Sequence, residues 1–273
     1  MKRLEDDRLV LPPLAKVASK AIDLVNKADT NPQRVTELLE VEPVLAMRVM
    51  RVGSSVRSSA LTNLQSAVGA LGARALRSTI VEASVTSVPE SRDRQIAEAT
   101  KLLWQHCVAV GILSRDLGTV LGVGDPEDAY IAGLLHDVGK LALAILLLEA
   151  EKQAMARLTA RTWLQADQWM EVLQRFHRPA GVAIAKKWMM PQALISAIED
   201  ATDYDSSDRS SIANVVRFCN AVSKQQGIYP GLYDADDANA MVMIGRSLLG
   251  LEDETLMRLV TGIGERTQKR LGY

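Results

Sequence analysis

Apolar residues recur at spacings of three and four along almost the whole chain, and no run alternates strictly. That period puts apolar side chains on one face of a helix, so it directs the chain toward packed helices rather than sheets. In the first segment Leu14, Val17, Ala18, Ala21, Leu24, Val25 and Ala28 share one face. The same reading gives a short helix after Asn31-Pro32, as N-cap and first helical residue, and another opened by Pro43 and ended by Gly53. The small, polar stretch 53–63 reads as a loop. Helices resume near Gln65 and again after Gly72, up to about Val88.

Pro89-Glu90-Ser91 marks a break and the expected boundary between two helical lobes, about 1–88 and 91–273. A long helix over about 92–121 carries Leu102, Leu103, His106, Val110, Leu113 and Leu117 on one face. Asp125-Pro126 opens the next, which runs toward His136. Further helices are expected near 138–160, 164–176, 178–188, 192–202, 208–226, 236–249 and 253–270. The fold class is therefore all-α.

Composition supports this and excludes other classes. Aromatics make up only 4% of the chain, so the core must be Leu, Val, Ile, Ala and Met. Lys and Arg (32) nearly balance Asp and Glu (33), which argues against a nucleic-acid partner or an anionic membrane. Two cysteines without a CxxC pair suit a reducing compartment, and the mixed-charge N-terminus is no signal peptide, so the expected location is the cytoplasm. The longest apolar run, 141–148, is too short to span a bilayer, which needs about 20 residues.

The chain has three histidines, His106, His136 and His177. His136 stands beside Asp137 in the otherwise apolar GLLHDVGK (133–140). Burying both groups costs desolvation unless something pairs with them. A divalent metal would do so, and Lys140 could then face a phosphate. Alternatively the pair caps helix ends, with Asp137 as N-cap of the following helix. Cys107 and Cys219 read as small buried hydrophobes, and the four tryptophans as packing anchors, with Trp163 and Trp169 partly exposed.

Several segments in order resemble the HDOD branch of the HD phosphohydrolase superfamily. LPPL (11–14) is similar to its LPxL opening, VEPVLAMRVMRVGSS (41–55) to its "DPxLxxxxLxxxNS" segment, and AVGALGARAL (67–76) to "AIxxLG". LWQHCVAV (103–110) is similar to "FWxHS" and AYIAGLLHDVGK (129–140) to "AFxAGLLHDIGK". Glu171, His177, Gly181, Trp188 and Pro191 fall on its "E…H…G…WxLP" spacing. The resemblance covers about residues 11–225. It implies an HD-like helical lobe with an N-terminal helical lobe packed on it. It also implies that His106, His136 and Asp137 are metal ligands, and it puts Asn220 where such enzymes carry a fourth, acidic ligand. Asn is a weaker ligand than a carboxylate. The His pair of two-metal members is replaced by Ala201-Thr202, and the nearby Glu199, Asp200, Asp203 and Asp205 read as a solvated acidic stretch. His177 reads as a hydrogen-bonding structural residue, with a ligand role or a phosphate contact as alternatives.

The function implied is a bacterial signalling module with a degraded metal site, non-catalytic and acting through signalling-protein partners. The alternative is a metal-dependent phosphohydrolase acting on a nucleotide or cyclic nucleotide, with a divalent transition metal as cofactor. A third reading is a sensor that binds a nucleotide without turning it over. A homodimer is compatible with the apolar helical surface.

Overall fold

The structure is a computed structural model that describes residues 16–27, 31–40, 49, 52–53, 55–57, 64–85, 91, 93–123, 126–157, 164–187, 192–199, 203–231 and 233–271. Every regular element among them is a helix, so the chain is all-α as expected. They fall into two compact units, within Pro12–Ser87 and Val88–Tyr273.

The first unit holds α1 (Lys16–Val25), α2 (Pro32–Glu40) and α3 (Leu64–Val85), each packed on the other two. Ala18, Ala21, Ile22 and Val25 of α1 meet Val35 and Leu39 of α2 in the core. Asn31 caps α2 as expected, its Oδ1 accepting from the Gln33 amide at 2.9 Å. The break expected at Gly72 is present as a left-handed φ of 69° inside α3. One expectation fails here. The stretch 53–63, read as a loop, is helical at residues 53 and 55–57. Its small residues serve packing instead: a Cβ on Gly53 would stand 2.9 Å from Ala67.

The second unit is built on α4 (Arg94–Leu121), capped by Asp93, whose side chain accepts from the Gln95 and Ile96 amides. Helix α5 (Pro126–Leu135) lies against α4. The contact is tight because Gly133 carries no side chain; a Cβ there would come within 2.7 Å of Ser114 Oγ and of the Val110 carbonyl. Helix α6 (Val138–Arg157) packs on α7 (Ala166–Lys187). Helix α8 (Gln192–Glu199) bridges α7 and α9 (Ile212–Gln225), and α9 also touches α4, α5 and α10 (Ala235–Leu249). Helices α11 (Asp253–Val260) and α12 (Ile263–Leu271) close the other side of α4.

Three details differ from the expectation. Helix α7 is continuous where two helices, 164–176 and 178–188, were expected. Pro179 sits inside it and is exposed, costing the helix one backbone hydrogen bond without ending it. The last helix is split, because Gly262 takes a φ of 65° between α11 and α12. Trp169 is 2% exposed rather than partly exposed; Trp163 and Trp188 lie outside the described residues.

The stretch Asp128–Ala154 is long enough to cross a membrane, and an 18-residue window within it has a mean hydropathy of 1.9, apolar enough by composition. In the structure 82% of that window is buried within the protein, and the stretch is two helices interrupted at His136-Asp137. That is how a core helix pair reads.

Candidate metal centre

His106 lies in the middle of α4, on the face that carries Leu103, Val110 and Leu113, and is fully buried. His136 and Asp137 form the two-residue turn between α5 and α6, and Lys140 follows in the first turn of α6. Their side chains converge. Asp137 Oδ2 lies 3.8 Å from His106 Nε2 and 3.5 Å from His136 Nε2, and accepts from Lys140 Nζ at 2.7 Å. From α7, His177 places its Nε2 3.7 Å from the other oxygen, Asp137 Oδ1.

The backbone sets the tautomer of each ring. His106 Nδ1 donates to the Ile228 carbonyl at 2.7 Å, His136 Nδ1 to the Gly133 carbonyl at 2.7 Å, and His177 Nδ1 to the Gln174 carbonyl at 2.7 Å. A carbonyl only accepts, so all three Nδ1 atoms carry the proton. Each Nε2 therefore turns a lone pair toward Asp137. His106 Nε2 and His136 Nε2 are buried without a hydrogen-bond partner.

The electrostatics follow from burial. Removal from water lowers the pKa of His106 to about 3 and of His177 to about 4, and lowers that of His136 as well. Burial opposes the charge on Asp137 too, but the Lys140 ammonium beside it holds the carboxyl well below its ordinary range. The same pair raises Lys140 despite its burial. The thiols flanking the motif take no part: burial raises Cys107 well above its ordinary value and pushes Cys219 up to about 12.

A pH dependence follows for the metal-free protein. All three imidazoles titrate lower in the folded chain than near 6.5, their value when unfolded. Below pH 6.5 the unfolded chain binds more protons, so stability falls as the pH falls, by about 1.4 kcal/mol per pH unit for each imidazole kept neutral. These are the only histidines in the chain. Urea midpoints should therefore drop steadily from pH 7 to 5 in the presence of chelator. A flat profile over that window would show that the rings are not held neutral.

The donor set fits a divalent cation. Imidazole nitrogens and one carboxylate oxygen from His106, His136 and Asp137 lie within 4.8 Å of one another. Three lone pairs and a carboxylate directed at one region repel each other unless a cation stands among them. Nδ1–carbonyl bonds of this kind are the outer support that orients metal-bound imidazoles. Asn220 of α9 lines the same cavity and its Oδ1 is buried without a partner. A metal would supply Lewis acidity and an activated water at this point.

Of the residues singled out in the sequence, His106, His136, Asp137, Lys140, His177 and Asn220 all reach this centre or the cavity over it. The Lys140 ammonium is engaged by Asp137 and by the Tyr229 hydroxyl, at 2.7 and 3.3 Å, rather than open to a phosphate. The Asp137 side chain pairs with this lysine instead of capping α6. Glu199 and Asp205 line a different cleft, and Asp205 accepts from the Ser207 amide and hydroxyl, as a solvated turn does. Asp200, Ala201, Thr202 and Pro191 lie outside the described residues.

The sequence reading missed Tyr229, Gln174, Arg178, Arg217 and Lys224. Tyr229 packs its ring edge on His106 at 5.0 Å and its hydroxyl accepts from Gln174 Nε2 at 2.7 Å. It follows a turn and has no periodic position that could have revealed it. Arg217, Asn220 and Lys224 follow one another at three and four residues on α9, a signal that was there to use.

Comparison with known proteins bears on the fold. The HDOD domain model matches residues 11–204. An uncharacterized protein of Treponema pallidum (strain Nichols) is 23% identical over 201 residues, which is 68% of this chain and 37% of that protein. The chain thus spans little more than a third of that relative. A crystal structure of a candidate metal-dependent phosphohydrolase from Shewanella amazonensis SB2B superposes with a TM-score of 0.73 at 18% identity, covering 98% of this chain and 95% of that one. A candidate signal transduction protein from Marinobacter aquaeolei VT8 gives a TM-score of 0.61 at 18% identity, covering 97% and 59%.

Proposed function

This chain belongs to the HDOD family, and from that premise we propose that it is a cytoplasmic signalling protein whose His-Asp centre holds one divalent transition metal. The observation that carries this is the orientation of three Nε2 lone pairs onto the Asp137 carboxylate. His106, His136 and Asp137 hold the ion, and Asn220 offers a neutral oxygen beside them. The Ile228, Gly133 and Gln174 carbonyls keep the three rings in the orientation the ion needs. The cysteines, both buried and unpaired, agree with a reducing compartment.

In this reading the protein is regulatory rather than catalytic, and its output passes to signalling-protein partners through the helical surface. Two features favour that over hydrolysis. The lysine that could have bound phosphate is held by Asp137. The acids Glu199 and Asp205, which could have held a second ion, face another cleft. The centre itself keeps a second reading in play, a one-metal phosphohydrolase acting on a nucleotide.

The test is elemental analysis of protein purified from metal-supplemented medium, beside His136→Ala. About one equivalent of transition metal should be present and lost in the variant. A metal-free wild-type protein would end the proposal. Turnover of any member of a nucleotide panel, abolished by His136→Ala, would move the hydrolytic reading to the front.

A further inference from the structure

Helix α10 has two different faces. Ala238, Val242, Gly245 and Leu249 recur at spacings of three and four, are buried, and form the face that packs on α9. The approach is close. A Cβ on Gly245 would overlap the Tyr204 hydroxyl and stand 2.8 Å from Phe218, and that hydroxyl donates to the Met241 carbonyl at 2.8 Å. Asp234 caps the first turn, and Gly250 ends the last at a φ of 66°. The outer face therefore belongs to a helix that is fixed at both ends and along its length. It carries Asp236, Ala240, Met243, Ile244 and Ser247, all exposed, with Met243 at 73% and Ile244 at 55%. A solvated helix face ordinarily carries polar side chains at such places.

The apolar stripe continues past the end of α10. Arg246 pairs with Asp253 at 2.6 Å and donates from Nε to the Leu251 carbonyl at 3.1 Å, which ties the start of α11 to α10. Met243 lies one turn before Arg246, and Met257, 67% exposed, one turn after Asp253. Exposed apolar side chains grouped in this way mark contact surfaces, and methionine adapts its shape to what it meets. Carboxylates rim the stripe. The stretch 234–257 holds six acids and one base, in a chain whose net charge is only −1. Asp236, Asp237, Glu252 and Glu254 form no ion pair among the described residues. These acids disfavour a second copy as the occupant, because a two-fold contact would set acids against acids. They repel an anionic lipid surface for the same reason.

We infer that the outer face of α10, with Met257 of α11, is a docking surface for a basic amphipathic helix of a partner protein. The apolar residues of that helix lie on Met243, Ile244 and Met257, and its Lys and Arg side chains face Asp236, Asp237, Glu252 and Glu254. The surface rests on the regulatory reading only in that the helix belongs to a signalling partner; docking itself needs neither metal nor turnover. Helix α10 also follows directly on the turn whose Ile228 carbonyl and Tyr229 ring hold His106, so the surface is joined to the His-Asp centre by a short stretch of chain.

The probe is a labelled synthetic peptide of about 18 residues, with Leu at helical spacings and Lys elsewhere. Fluorescence anisotropy follows its titration with the full chain, in chelator and in manganese, beside metal analysis. The wild-type protein should bind it saturably in both. The Met243→Ser, Ile244→Ser double variant should weaken binding by about tenfold or more, with metal content unchanged. Asp236→Asn with Asp237→Asn should weaken it less and flatten its dependence on salt. Val120→Ser, at an exposed apolar residue of α4, should change nothing. No binding by wild-type protein at about 100 µM overturns the surface. So does equal binding of a peptide with Glu in place of Lys, or binding that survives the Met243→Ser, Ile244→Ser variant. A dimer in sedimentation that this variant dissociates would give the face to a second copy, and vesicle binding that it abolishes would give the face to lipid; either overturns the proposal. Peptide binding that responds to the variants in a protein without metal would support the surface while ending the metal proposal. Far-UV circular dichroism confirms that each variant is folded.

Discussion

Replacing Lys140 with Met is expected to cost the metal-free protein about 3–5 kcal/mol of stability, the range for removing one partner of a buried ion pair. Asp137 and Lys140 are 5% and 3% exposed, and their contact is 2.7 Å. Lys140 is the permanent cation on that carboxylate; the rings around it are neutral and present lone pairs. Without the ammonium, a charged Asp137 would face the three imidazoles with no compensation, or would have to take up a proton. Bound metal supplies the missing charge. Metal should therefore stabilise Lys140→Met more than it stabilises the wild-type protein. Urea unfolding of both proteins, in chelator and in manganese, reads all four values. An unchanged midpoint in chelator would show that Lys140 does not hold the carboxylate. Equal losses with and without metal would remove Asp137 from the ligand set.

Gly139→Ala should be as damaging, for a steric reason. Gly139 begins α6 where that helix crosses α7, and a Cβ there would overlap the His177 carbonyl and stand 2.7 Å from the Gly181 amide nitrogen. Both contacts are with backbone, which has no rotamer to give way. Gly181 is itself confined, with its own Cβ position 2.8 Å from Ile198. The two helices would have to separate, at a cost of about 3 kcal/mol or more. Separation would also carry His177 away from Asp137. A thermal midpoint within a degree or so of wild type would show that α6 and α7 need not approach this closely. A normal midpoint with lost metal would place the effect on the site alone.

These two residues also show how far the sequence could be read. Gly139 and Lys140 stand in GLLHDVGK, and their chemistry was visible there: a glycine where backbone is crowded, a lysine near an acid. The direction of each effect was not. The lysine was assigned to an external phosphate, whereas it closes an internal ion pair. The glycine admits a second helix, which its neighbours in sequence do not reveal. His177 was read as a hydrogen-bonding residue, and its Nδ1 is one; its Nε2 nevertheless faces Asp137. A break near residue 177 was expected, but α7 runs through Pro179.

The sequence by itself determined most of the helices, the cap at Asn31, the break at Gly72 and the place of His106 on an apolar helix face. All of these depend on hydrogen bonds and side-chain spacing within a few residues, where composition and period speak directly. It also placed His136 and Asp137 together, because they are adjacent. Only the tertiary structure decided that His106 from α4 and His177 from α7 would meet at one carboxylate, with Tyr229 and the Ile228 carbonyl from the α9–α10 turn placed against the His106 ring. That meeting depends on how closely the helices cross. The distance is set by contacts such as Gly133 on Val110 and Gly139 on His177, between residues that no local period relates.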